Sequence, residues 1–417
     1  MNSEIIANLK ATKHASYDLA NLNPLVRADV LKKLAKNLRT ASDKIILENK
    51  KDLALMDKAD PKYDRLLLNH ERIAVIADEI EAVAELDNPL NKVISENKRP
   101  NGLLIQKVTV PIGVILVIYE SRPNVTIDVF SLCFKTGNAC VLKGGKEAFY
   151  SNQCLVSLIK AVLTEFNLNP NFIYLLPPER ELTLSILKAN DYIDLCIPRG
   201  SQSLINFVRE NARVPIIETG AGIVHTYFDK SGDLEKGQAL IYNAKTRRVS
   251  VCNALDTLVI HQERLADLFE LVKPLANKNV KIYADKLSYQ VLINYYPDKL
   301  LFAAEEENFG QEYLDYKLSI KTVHNFKEAV EHIQKYTSHH SEAIVTEDKN
   351  VSQQFLLEVD AAVVYVNAST AFTDGGQFGL GAEIGISTQK IHARGPMGLE
   401  ALTSYKWLVY GDGQTRA

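Results

Sequence analysis

The 417-residue chain has only five cysteines, and what is missing around them narrows its chemistry. Five is an odd number and small for this length. That excludes a disulfide framework and points to a reducing, cytoplasmic compartment. No Cys-x-x-Cys or His-x-x-x-His spacing occurs, and the adjacent pair His339-His340 makes a poor chelate, so no metal site is expected. Neither sign of charge dominates: the formal net charge is -3. Nucleic acid and anionic membrane surfaces are therefore not expected partners. No apolar run reaches the roughly 18 residues of a membrane helix. The start, Met1-Asn-Ser-Glu-Ile-Ile6, lacks the basic-then-apolar order of a signal peptide. Repeats, low-complexity tracts and flexible linkers are also missing, so the domains are expected to interleave.

What is present is an ordinary soluble composition, 46% hydrophobic and 24% charged, long enough for two or three domains. Residues 1 to about 90 read as helices. Asn23-Pro24 is a cap followed by proline in the first turn, and Val30, Leu31, Leu34 and Leu38 keep one face apolar. Ser42 and Asn69 are read as further caps. From Arg99 the pattern changes to strands. The run Ile112-Gly-Val-Ile-Leu-Val-Ile118 is apolar throughout, as in a parallel strand covered on both faces. A helix over 125–136 follows, stopped at Gly137-Asn138. Strands at 139–143, 172–176, 192–197 and 214–217 then alternate with helices near 146–165, 179–189 and 202–212. This is the pattern of an α/β fold with a doubly wound parallel sheet. Lys143-Gly-Gly-Lys146 and Arg199-Gly-Ser201 fall at strand carboxyl ends, where glycine lets backbone N–H groups approach a phosphate and lysine adds charge.

A second α/β unit is read from strands near 255–260, 280–283, 342–346 and 362–367, with helices near 262–275 and 326–336. A final strand is read at 402–410. Gly220-Ala-Gly-Ile-Val-His225 is only half of a dinucleotide fingerprint. Gly379-Leu-Gly-Ala-Glu-Ile-Gly385 has the wrong last spacing and no strand ahead of it. Lys143 is a better anchor for a dinucleotide than either. The Gly-rich, apolar stretch Phe372 to Ile386 reads as a loop that wraps a site, with a plain connector as the alternative.

Cys133, Cys140, Cys154 and Cys196 lie in apolar runs and read as core. Cys252 differs. Lys245, Arg247 and Arg248 precede it closely and Asn253 follows it. Cations and amide donors stabilise a thiolate, which makes the thiol a nucleophile. The competing reading is an inert buried cysteine.

Three stretches, Ile112 to Thr126, Gly137 to Glu147 and Ile217-Glu-Thr-Gly-Ala-Gly222, resemble the aldehyde dehydrogenase superfamily. More closely, Asn243-Ala-Lys-Thr246, Cys252-Asn-Ala254, His340-Ser-Glu342, Tyr365 to Ser387 and His392-Ala-Arg-Gly-Pro-Met-Gly-Leu399 resemble the gamma-glutamyl phosphate reductase family. The likeness covers about residues 5–412. It implies an aldehyde-dehydrogenase-like fold: an NADP-binding domain (1–97 and 112–222), a catalytic domain (223–390), and an oligomerisation hairpin with a C-terminal strand (98–111 and 391–417).

The resemblance also implies NADPH-dependent reduction of L-glutamyl 5-phosphate to L-glutamate 5-semialdehyde with release of phosphate, the second step of proline synthesis. Cys252 would be the nucleophile, forming a thioester. Its backbone N–H and the Asn124 carboxamide would receive the oxyanion. Arg122, Lys245, Arg247 and Arg394 are the candidate cations for the substrate phosphate and carboxylate. Lys143, Gly144, Gly145, Lys146, Gly200, Ser201 and Glu312 would hold the cofactor, and Lys146 would favour NADP over NAD. Glu218 lines the cofactor side with its role left open. A hydrolytic aldehyde dehydrogenase using Glu218 as base is the main alternative, and a catalytically silent scaffold a third. The expected partners are the small-molecule substrate, further copies of the chain (a dimer or tetramer) and a separate glutamate kinase, since no kinase segment precedes the first helices.

Overall fold

A computed structural model describes the whole chain except Ala59, Pro61, Ala417 and the side chain of Lys62. It divides into two compact units. The first comprises Met1–Thr219, Gly379–Gly385 and Met397–Ala417; the second comprises Gly220–Phe378 and Ile386–Pro396.

The first unit opens with the helices Ser3–Ala20, Pro24–Thr40, Ser42–Leu53, Lys62–Leu66 and His70–Glu85. Side-chain caps start three of them: Asn2 accepts from the Ile5 N–H, Asn23 from Leu25 and Asn69 from Arg72. Such a cap satisfies one of the orphan donors of the first turn. Ser42 is not a cap; it is the first helical residue, after Ala41, which gives no side-chain bond.

The core of this unit is a parallel four-stranded sheet in the order Ile173–Leu175, Ala139–Gly144, Val114–Tyr119, Leu195–Arg199. Every residue of Val114–Tyr119 and Ala139–Gly144 is buried, as their unbroken apolar runs predict. The strand expected over 214–217 shrinks to one bridge, Cys196 to Ile216. Pro215 has no N–H to give, and only its carbonyl serves the ladder, accepting from the Cys196 N–H at 2.8 Å.

A second, antiparallel sheet in the same unit pairs Val93–Lys98 with Leu104–Pro111 and Leu104–Pro111 with Thr403–Tyr410. The strand Val93–Lys98 lies ahead of the expected hairpin. All six of its residues are exposed, so no hydrophobic alternation marks it in the sequence.

The second unit is built on seven parallel strands. Their order is Leu301–Ala303, Lys281–Ala284, Lys317–Val323, Thr257–His261, His225–Phe228, Ser341–Val345 and Val363–Val366. The single helix read near 262–275 breaks into a 3-10 turn, the short helix Leu268–Val272 and another 3-10 turn. Pro274 lies in the first turn of that last piece, where it can give no helical hydrogen bond. Three neighbours in this sheet, Thr257–His261, His225–Phe228 and Ser341–Val345, begin at one edge, and the segments leading into them carry the site described next.

Candidate functional site

Cys252 lies in the turn between the helix Leu234–Thr246 and the strand Thr257–His261. Local bonds fix that turn. The Ala254 N–H donates to Val251, Leu255 to the Ala244 carbonyl, and Asp256 to Val224. Gly222, on the segment entering the next strand, presses against it. A Cβ at Gly222 would stand 1.7 Å from the Cys252 carbonyl oxygen, so no side chain fits there. The Gly222 N–H in turn donates to Glu312 at 2.8 Å.

The thiol is half-buried and has a partner that sequence reasoning missed. Cys252 Sγ lies 3.1 Å from Nε2 of His340. His340 immediately precedes the strand Ser341–Val345 and is fully buried. Burial lowers its pKa to about 4, so the ring is neutral at physiological pH. Its other nitrogen, Nδ1, is 2.8 Å from Ser341 Oγ. Ser341 Oγ is 2.7 Å from Thr373 Oγ1, and Thr373 Oγ1 is 2.8 Å from the Tyr365 hydroxyl.

Asn253 ties the same turn to the start of the Gly-rich loop. Its carboxamide donates to the carbonyls of Ala371 and Thr373, and its own carbonyl accepts from the Thr370 hydroxyl. By adjacency alone the His339-His340 pair reads as a poor chelate. The useful signal was the motif His340-Ser-Glu342, but a contact spanning 88 residues cannot be read from local sequence.

The thiol sits at the amino ends of its parallel strands, not the carboxyl ends where open α/β sheets ordinarily bind ligands. The other four cysteines are buried core. Burial pushes the thiols of Cys133, Cys140 and Cys196 up, out of the reactive range.

The candidate cations fall in different places. Lys245 does not face solvent. It is fully buried, and its Nζ donates to the Leu255 carbonyl at 2.8 Å, under the Cys252 turn. Burial pulls its pKa down, and the charge of buried Asp256 opposes that shift. Asp256, whose own pKa burial raises, accepts from the Tyr313 and Val224 N–H groups. Arg247 and Arg248 are exposed on the turn before the thiol. Arg394 donates to Asp360 at 2.6 Å, and Lys390 pairs with the same carboxylate. These two cations hold Asp360 down, at about 2.

In the first unit, Lys143, Gly144, Gly145 and Lys146 are brought together on one cavity of about 750 Å³. Lys143 is the penultimate residue of a buried strand, and its Nζ donates to the Pro178 carbonyl at 3.0 Å. Burial lowers its pKa, while Glu179 and Glu147 act the other way. Arg180, not singled out from sequence, also lines the cavity. Gly144 is packed so closely that a Cβ would meet Asn152 at 2.3 Å.

Gly200 and Ser201 do not line this cavity, although Ser203, Leu204 and Phe207 from the following helix do. The Ser201 N–H donates to Glu120 at 2.9 Å, so a carboxylate already takes the anion position at that helix start. Asn124 donates to Asp128 at 2.9 Å, and burial raises the Asp128 carboxyl to about 7. Arg122, half-buried, adds a cationic charge that opposes that rise. Glu218 forms a two-point ion pair with Arg209, one contact being 2.8 Å between Oε1 and Nε.

Among the described residues, no group of three or more His, Cys, Asp or Glu is placed to hold a metal, and no helix is long and apolar enough to cross a membrane.

No family model matches the chain. Curated relatives do. It is 63% identical over 416 residues to the gamma-glutamyl phosphate reductase of Legionella pneumophila (strain Paris), and 58% identical over 416 residues to that of Pelodictyon phaeoclathratiforme; all of each chain is covered. The crystal structure of the gamma-glutamyl phosphate reductase of Thermotoga maritima matches with a TM-score of 0.95 at 40% identity, covering 100% of both chains. An acetylating aldehyde dehydrogenase of Geobacillus thermoglucosidasius matches with a TM-score of 0.72 at 17% identity, covering 99% of this chain and 98% of its own, and so shares the fold. The fold is thus aldehyde-dehydrogenase-like, and the chain belongs to the gamma-glutamyl phosphate reductase family.

Proposed function

We propose that this oxidoreductase reduces L-glutamyl 5-phosphate to L-glutamate 5-semialdehyde with NADPH, releasing phosphate, in the second step of proline synthesis in the cytosol. The observation that carries the reading is Cys252, held in a fixed turn with its sulfur 3.1 Å from a neutral, buried imidazole.

In this reading the Cys252 thiolate attacks the acyl carbon. The C–S bond forms, the C–O bond to phosphate breaks, and a thioester remains on the chain. Phosphate is a good leaving group, so no strong acid is needed. The Cys252 N–H and the Asn124 carboxamide serve as oxyanion donors. NADPH, when bound, would supply hydride to the acyl carbon; the thiohemiacetal on Cys252 would then collapse to aldehyde and thiolate. Arg122, Arg247 and Arg394 remain the candidate cations for substrate. Lys245 is reassigned to supporting the turn from beneath, because its ammonium is buried.

The cavity of the first unit suits a phosphate-bearing cofactor. Lys143, Lys146 and Arg180 supply charge around the close approach at Gly144. Both Ser121 donors, the N–H and the hydroxyl, go to Oε1 of the nearby Glu147, each at 2.8 Å, and the charge of Lys146 and Arg180 is what favours a 2′-phosphate. Glu312 and Glu218 keep the cofactor-side roles inferred for them, in addition to the contacts described. Residues 1–97 and 112–222 act as the cofactor domain and 223–390 as the catalytic domain. Residues 98–111 and 391–417 mediate a homo-oligomer, and a separate glutamate kinase supplies the labile acyl phosphate.

The hydrolytic alternative needs Glu218 to activate water. Its two-point pairing with Arg209 speaks against that role. The deciding assay runs purified protein with glutamate 5-semialdehyde, NADP and phosphate, omitting each in turn. NADPH should form only when all three are present. A rate unchanged without phosphate or arsenate would overturn the proposal. Cys252→Ser should cost roughly 10³-fold or more in kcat while the protein stays folded.

A further inference from the structure

The hydrogen-bonded line behind Cys252 continues past His340. Nδ1 of the ring meets Ser341 Oγ at 2.8 Å, Ser341 Oγ meets Thr373 Oγ1 at 2.7 Å, and Thr373 Oγ1 meets the Tyr365 hydroxyl at 2.8 Å. His340, Ser341 and Thr373 are each 0% exposed. Tyr365, on the strand Val363–Val366, is only half-buried. The line therefore runs from the thiol through buried side chains to a half-buried tyrosine. Every member after the ring is a hydroxyl, which can both donate and accept. Such a chain can reverse its direction as one unit.

We infer that Ser341, Thr373 and Tyr365 form a hydroxyl relay that carries the Cys252 proton through His340 to solvent and returns it. The inference rests on the reading of Cys252 as the nucleophile. Without a relay, a proton taken from the thiol would leave an imidazolium in a site that disfavours charge, since burial alone holds the ring neutral down to about pH 4.

With the relay, the steps balance. The Sγ–H bond breaks and an Nε2–H bond forms as the Nδ1 proton passes to Ser341. Ser341 passes its own proton to Thr373, Thr373 to Tyr365, and Tyr365 releases one to water. The result is a thiolate beside a neutral imidazole whose Nε2–H now donates to sulfur. When the aldehyde leaves, the same chain runs backwards and returns one proton to the thiolate. The departing phosphate takes its proton from solvent. Ser341, Thr373 and Tyr365 are positioning residues in this scheme, because they act on sulfur only through His340.

The test compares Thr373→Val, which keeps the shape and removes the hydroxyl, with Thr373→Ser, which keeps the hydroxyl, and with Tyr365→Phe. In the full-length protein, the rate of Cys252 alkylation by iodoacetamide is followed against pH, alongside kcat and KM. Thr373→Val and Tyr365→Phe should raise the apparent pKa of the thiol by about one unit and lower kcat about tenfold, with KM little changed. Thr373→Ser should restore both.

The charged and titratable groups on neighbouring segments include Lys245, Arg247, Arg248, Asp256, His225, Glu312, His339, Glu342 and Asp374, and none is altered by these substitutions. Wild-type pH profiles and wild-type kcat in both hydroxyl-free variants would overturn the relay. Should Thr373→Val fail to fold, Tyr365→Phe, at a half-buried position, decides alone. Full activity in Cys252→Ser would instead sink the nucleophile reading, and the alkylation profiles would still report on the relay.

Discussion

The Cα of Gly222 lies directly against the carbonyl of Cys252, leaving no room for a methyl group between them. The backbone position of Cys252 is therefore set by a residue thirty positions upstream, itself held by the Glu312 carboxylate. Gly222→Ala must push the Cys252 turn away. A displacement near 1 Å at a reacting atom costs about 10²-fold, so kcat should fall by at least that much. Glu312→Gln, which can still accept the Gly222 N–H, should retain the alkylation rate of Cys252. Iodoacetamide labelling of both variants checks this, with thermal melting as the control for folding.

His340 makes stability depend on acid. Its folded pKa is about 4, against about 6.5 for an ordinary histidine. A group with a lowered folded pKa binds its proton more readily when unfolded. Stability is then lost as pH falls from about 6.5 toward 4. From this residue alone, the protein should be about 2 kcal/mol less stable at pH 5 than at pH 7. His340→Gln should remove that part of the slope, although buried His332, also held low at about 3, keeps its share. Urea unfolding at the two pH values measures the difference.

Lys245 and Asp256 are a buried pair beneath the thiol turn. Lys245→Met removes the cation that opposes the rise of the Asp256 pKa, so Asp256 must take up a proton or stay charged without a partner, at a cost of about 3–5 kcal/mol. Adding Asp256→Asn should recover part of that loss, because an amide oxygen can still accept from the Tyr313 N–H. A double-mutant cycle in urea reads the coupling. A surface substrate cation would show no such coupling, only a raised KM.

Lys146 and Arg180 share the cavity of the first unit with Lys143. If they receive a 2′-phosphate, Lys146→Ala and Arg180→Ala should each weaken NADPH binding about tenfold. NADH binding should change little. Fluorescence titration with both nucleotides separates this from general damage to the cavity.

Much of this was readable in the sequence, and the limits have physical causes. Apolar runs announced Val114–Tyr119 and Ala139–Gly144, because a strand covered on both faces carries no polar residue to hide it. The same neighbours sorted four core cysteines from Cys252. Lys143 to Lys146 could be placed at a strand end because strand and glycines adjoin in the chain. Lys245 could not be placed, since nothing local marks a lysine whose ammonium will be enclosed by its own helix end and the turn after it. His340 was hidden for a different reason: its partner is set by sheet order, and three adjacent strands must pair before imidazole and thiol meet. Val93–Lys98 escaped because its pairing uses backbone alone, with six exposed side chains.

The separation between Cys252 and His340 also has a consequence for the growing polypeptide. During synthesis the thiol emerges 88 residues before its imidazole. Until the strand Ser341–Val345 has emerged and taken its place beside His225–Phe228, Cys252 lacks its imidazole neighbour. If His340 activates the thiol, reactivity is tied to completion of the sheet. On the same condition an unfinished chain reacts more slowly with electrophiles, and the labelling rate of this one sulfur can serve as a clock for folding.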